Sequence, residues 1–81
     1  MNEQQLISRI SCDPNVMGGK PVIKGTRLTV EYILNRLAKG STSQEILDEY
    51  AGLSHDDIQA CLFFAAQSVG RTSFMPLAES A

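Results

Sequence analysis

Ser54-His55-Asp56 contains the three residue types of a hydrolytic relay in consecutive positions. A relay needs those side chains to converge from separate parts of a fold, whereas neighbours on a helix point about 100° apart. Helix capping accounts for Ser54 and for the aspartates, so no nucleophile is expected. Gly18-Gly19-Lys20 has the glycines and lysine of a phosphate loop, but Pro21 stands where that loop needs a hydroxyl residue and a helix. With one histidine and two cysteines, Cys12 and Cys61, the chain cannot close a set of soft zinc ligands or build a disulfide framework. The carboxylates are scattered. The expectation is a protein that is not an enzyme and needs no metal or cofactor.

Charge is more telling. The 81 residues carry a net −2, too balanced for a uniformly basic nucleic-acid binder. The halves differ sharply, however. Residues 1–40 hold six cations against three carboxylates, net +3, and residues 41–81 hold Arg71 against six carboxylates, net −5. The segment from Lys20 to Arg27 contains Lys20, Lys24 and Arg27 with no acidic residue. With Arg36 and Lys39 further on, these are the candidate DNA-binding residues. Arg27 has an alternative role as a partner of Asp13 inside the fold.

The elements that position these charges follow from pattern. One domain spans residues 1–81, since this length leaves no room for two. Its first six residues are polar and expected to fray, and Leu6 to Ile10 alternates as a short strand does. Asp13-Pro14-Asn15 reads as a turn, and Val22-Ile23 and Arg27-Leu28-Thr29 flank Lys24-Gly25-Thr26 as a small hairpin. Strands and hairpin therefore fill 6–29, a three-helix unit fills 30–69 and a tail fills 70–81.

Thr29 is a good N-cap for a first helix with Val30, Ile33, Leu34, Leu37 and Ala38 on one face, closed by Gly40. Thr42-Ser43-Gln44-Glu45 is a capping box for a second, with Ile46, Leu47 and Tyr50 inward. Ser54 and Asp57 cap a third, on which Ile58, Cys61, Leu62, Ala65 and Val69 form a stripe. The fold class is mainly α, with short N-terminal β-strands before a three-helix unit.

The last two helices have helix-turn-helix spacing, yet the third carries Asp56 and Asp57 and no cation from His55 to Val69. Phosphates would be repelled there, which assigns any DNA contact to the basic hairpin, lying along a groove as a β-ribbon does. Phe63 falls on the opposite side of that helix from the stripe, with Phe64 flanking it, and the tail holds Phe74, Met75 and Leu77. These five form the expected partner interface, including a homodimer through the third helix. No apolar run approaches the ~20 residues of a membrane span and no signal peptide opens the chain, so a soluble cytoplasmic protein is expected.

Asp13-Pro14, then Gly19-Lys20-Pro21-Val22-Ile23-Lys24-Gly25-Thr26-Arg27 and Val30, resemble the domain-of-unknown-function 433 family. The likeness continues through Gly40, Glu45-Ile46-Leu47, Tyr50, Leu53-Ser54, Asp57-Ile58 and Ala60 to Ala66, with Ala51 departing from a common proline. The resemblance implies a homeodomain-like three-helix unit and an antitoxin-like role beside a nuclease-like toxin, with operator DNA as a further partner. A dimeric structural or adaptor module without nucleic-acid binding is the alternative.

Overall fold

The computed structural model describes residues 1–70. The Asn2 side chain accepts a hydrogen bond from the Gln5 amide at 2.8 Å, and the Gln5 side chain accepts one from the Asn2 amide at 2.9 Å. This reciprocal cap starts helix α1, Glu3–Ile7, where frayed residues and then a strand were expected. Only Ile10–Ser11 is extended, as β1, and it pairs antiparallel with β2, Val22–Ile23, in the register Ile10↔Ile23 and Ser11↔Val22. The strand expectation failed because a five-residue amphipathic turn and a short strand place their few apolar residues alike.

Between β1 and β2 the chain makes a single 3₁₀ turn, Met17–Gly19. Beyond β2 the expected hairpin is present. The Ile23 amide donates to the Leu28 carbonyl at 2.9 Å, Val22 bridges to Thr29, and Gly25 takes φ 83° at the bend. Thr26 holds the bend by donating its hydroxyl to the Ile23 carbonyl at 2.7 Å.

Helix α2, Val30–Ala38, begins at Thr29, whose hydroxyl accepts from the Tyr32 amide. It ends with Gly40 at φ 102° while the Ser41 and Gly40 amides donate to the Arg36 and Leu37 carbonyls. That pair of bonds is a Schellman closure, which needs a left-handed residue at the glycine. Helix α3, Ser43–Glu49, carries the expected Thr42–Glu45 capping box. Helix α4, His55–Gly70, is the longest element and packs against α1, α2, α3 and β1.

Ile23, Val30, Ile33, Ile46, Ile58 and Cys61 form one buried cluster. Three corrections concern α4. Asp57 and Ala60 are buried, whereas Leu62 and Val69 of the expected stripe are exposed (44% and 67%). At 16 residues α4 outlasts α2 and α3, of nine and seven, so its later turns have less to pack against. Phe63, expected to stand free, is half-buried beside Glu3, Gln4 and Ile7 of α1. The first helix covers the second face of α4.

Asp57 is the single buried charge among the described residues. One carboxylate oxygen accepts from Arg9 Nη1 at 3.0 Å, and the other accepts from the Ser54 amide and hydroxyl at 3.0 and 3.2 Å. Ser54 in turn accepts from the Asp57 amide at 3.3 Å. One side chain thus caps α4 and anchors the N-terminal segment. Asp56 stands outside, 3.7 Å from Arg9 and half-exposed. Asp57→Ala leaves a guanidinium and an amide without their acceptor, and is expected to destabilise the fold by about 2–3 kcal/mol. In a domain this small that lowers the melting temperature by about 10–20 °C. Asp56→Ala is expected to stay within about 0.5 kcal/mol. Parallel thermal and urea melts check both.

Burial, with the Asp57 charge as a second cause, pushes the Cys61 thiol up to about 12. A thiol reagent at mildly alkaline pH is therefore expected to label exposed Cys12 in the native protein and Cys61 only after unfolding. The linkage has the matching sign. Ionisation favours the unfolded chain once pH exceeds the ordinary thiol value of 9.0, so stability falls from there towards about 12.

Candidate nucleic-acid interface

The five candidate cations separate into paired and unpaired groups. Arg36, on α2, donates from Nη1 and Nη2 to the two carboxylate oxygens of Glu49, at 2.8 Å each. Its Nη1 also donates to the Tyr32 hydroxyl at 3.0 Å, and its Nε to the Ser41 hydroxyl at 3.1 Å. All its donor nitrogens are satisfied, and it ties α2 to the end of α3. Lys20 lies 3.4 Å from Glu31, with both side chains mostly exposed, so this pair contributes little. Lys24, Arg27 and Lys39 are exposed and form no ion pair with the described residues.

The alternative pairing of Arg27 with Asp13 is not made. The Asp13 carboxylate accepts from the Asn15 amide at 2.9 Å, as an Asx turn does, although both residues line one cleft. Lys24 sits in the turn of the hairpin, Arg27 at the end of its bend and Lys39 at the close of α2. The unpaired cations therefore occupy the hairpin and the first long helix, while the acidic start of α4 is held by Arg9.

Beneath these cations lies a tyrosine pair that pattern reading missed. The Tyr32 and Tyr50 hydroxyls are 2.7 Å apart, with rings edge-to-face at 6.1 Å between centroids. The Arg36 guanidinium stands 5.9 Å from the Tyr32 ring centre. By helical spacing Tyr32 falls on the polar face of its helix, with Arg36, and Tyr50 on the inner face of the next. Nothing in their spacing announces that the two hydroxyls meet.

Of the expected partner residues, Phe64 lines an open apolar groove of about 480 Å³ between α2 and α4, with Leu34, Ala38, Ala65 and Val69. Phe63 is taken up by α1, and Phe74, Met75 and Leu77 lie outside the described residues. Among the described residues no three His, Cys, Asp or Glu side chains group as metal ligands, and no helix is long and apolar enough to cross a membrane.

The sequence profile of DUF433, a protein family of unknown function, matches residues 10–65. The chain belongs to the DUF433 family. A crystal structure of a DUF433 member from Anabaena variabilis ATCC 29413 is similar, with a TM-score of 0.74 and 29% sequence identity. The match covers 84% of this chain and 67% of that one. No curated protein matches the sequence. The matched region contains the hairpin, both tyrosines and four of the elements around the core, so this DUF433 chain carries its candidate interface inside the family's shared part.

The tyrosine pair has a spectroscopic consequence. The hydrogen bond with Tyr50, then that from Arg36, holds the Tyr32 phenol below its ordinary value of 10.0, while the same contact raises Tyr50. Glu49 is lowered by its bonds from Arg36. The chain has two tyrosines and no tryptophan, so the tyrosinate absorbance band follows this pair alone. Two ionisation steps are expected, one on each side of pH 10, as for any strongly interacting pair. Arg36→Met is expected to move the first step upward. A single step at the ordinary value in the native protein would contradict the shared hydrogen bond.

Proposed function

We propose that this DUF433 chain is an antitoxin-like regulatory protein that acts by binding, with a nuclease-like toxin and operator DNA as partners. The toxin half comes from the family resemblance. The DNA half is supported by one observation, the segregation of unpaired cations from the acidic end of α4. Lys24, Arg27 and Lys39 have no carboxylate partner among the described residues, whereas Asp56 and Asp57 stand at the N-terminus of α4. A phosphate approaching that N-terminus meets the exposed Asp56 carboxylate, with Asp57 and Arg9 already paired to each other, which offsets the attraction a helix start otherwise offers. The hairpin and α2 meet phosphate with free positive charge.

The apolar groove favours dimerisation, which the adaptor alternative also requires. Lys20 and Glu31 both line it, so a second copy related by a two-fold axis can set Lys20 of one chain against Glu31 of the other. Val69→Glu changes a residue that is two-thirds exposed and should leave the fold intact. It is expected to shift sedimentation towards monomer, and an unchanged dimer would remove this groove from the interface.

Operator binding is tested with the upstream DNA of the gene. Lys24→Ala, Arg27→Ala and Lys39→Ala are each expected to weaken binding and flatten its salt dependence by about one unit of slope. Asp56→Asn is expected to leave binding unchanged or slightly tighter. Asp57 is unsuitable as a control because it is built into the fold. Normal binding by the three cation variants together with loss in Asp56→Asn would make α4 the reader. The toxin half is checked by co-purification with the product of the adjacent gene, and complete absence of a complex would refute it.

A further inference from the structure

We infer that the cationic face contains a site for single-stranded nucleic acid, a trough running from the hairpin across Tyr32 to the end of α2. The inference rests on the nucleic-acid reading above and goes beyond duplex contact. Three clefts adjoin on this face, of about 510, 400 and 320 Å³. Arg27 lines both the first and the second, and Tyr32 lines both the second and the third. Neighbouring clefts share a wall residue, so they lie side by side along this face. Arg27, Arg36 and Lys39 line these clefts, and among the described residues Asp13 is the single carboxylate that does. Arg27 and Lys39, in the first two clefts and the last, are the unpaired ones.

The middle cleft is the distinctive part. Met17, Leu28, Tyr32 and Tyr50 line it, so its walls are apolar and aromatic while its mouth holds Arg27. Met17 takes φ 51°, the one described residue other than glycine in the left-handed region, and it is 45% exposed. Gly18 and Gly19 follow at 67° and 86°. A methionine costs more there than a glycine would, and its side chain is not repaid by burial. Glycine would be the economical choice for the turn. What methionine adds is a polarizable thioether in the cleft that both tyrosines also line, a group that contacts aromatic systems favourably.

Recognition of a duplex uses an element that protrudes into a groove. Here the aromatic pair lines a concavity with cations at both ends, which is the arrangement that tracks one strand and stacks its unpaired bases. An acidic peptide shares the charge requirement but gains nothing from tyrosine rings lining the cleft, so the strand is the better fit.

Fluorescence anisotropy of the full chain with fluorescein-labelled oligothymidylate, and with the matching thymidylate–adenylate duplex, tests the site. The single strand is expected to bind more tightly than the duplex. Met17→Gly is expected to raise the melting temperature, by relieving the left-handed strain, and yet to weaken single-strand binding about tenfold. Tyr32→Ala is expected to weaken it at least as much, with Tyr32→Phe restoring most of the affinity because the ring is kept. Equal affinity of Met17→Gly and the native protein overturns the inference, as does displacement of the oligonucleotide by polyglutamate at matched charge. Duplex binding that needs Lys24 but ignores Met17, with no single-strand binding, overturns the trough while leaving operator contact standing. Absence of binding to either probe refutes the trough, and the upstream DNA then decides operator contact separately.

Discussion

Asp57 is where the N-terminal segment, the start of α4 and the core meet, and the remaining architecture is arranged around keeping its charge satisfied. A carboxylate at 7% exposure has to be matched by donors, because an unpartnered buried charge costs several kcal/mol. Arg9 and Ser54 supply those donors from positions 48 and three residues away. The long-range bond fixes the chain just before β1, which lets β1 pair with β2 and brings α1 over Phe63. The local bond starts α4 in the right place. With both made, Ile58, the next residue, and Cys61, one turn on, enter the core with Ile33 and Ile46. The buried pair contributes less through net attraction than through choosing one arrangement of these parts.

The same constraint separates the two charged regions of the surface. The aspartates at the start of α4 are committed to helix capping and to Arg9, so that end of the molecule has a structural use for its acidity. Arg36 is likewise committed, joining α2 to α3 through Glu49 and Tyr32. Among the described residues, cations that no carboxylate claims are then confined to the hairpin bend and the close of α2. Interior demands alone produce this segregation, and a binding face follows from it.

Much of this could be read from the order of residues, and the rest had physical reasons to be hidden. Thr29, Thr42, Ser54 and Gly40 announce helix ends because caps act within three or four residues, and all four do what their positions imply. The bend at Gly25 is legible for the same reason. Helix α1 also had a local signal, Asn2 three residues before Gln5, but only one half-buried leucine supports it, so the apolar pattern outweighed the cap. The Arg9–Asp57 and Arg36–Glu49 bonds span 48 and 13 residues and leave no trace in spacing. The Tyr32–Tyr50 contact depends on how α2 and α3 cross, and Met17 on a left-handed backbone that no periodicity reveals. Local chemistry gave the elements, and the site depends on the contacts between them.

Strand β2 is two residues long and is occupied on both sides, by β1 along one edge and by the Leu28–Thr29 segment along the other. Its amides and carbonyls are therefore not available to an incoming strand. Partners that recognise proteins by extending a sheet find no template along β2. What this hairpin holds must be gripped by side chains. Selection can retune such a grip one residue at a time, leaving the hairpin's backbone unaltered while the choice of ligand drifts.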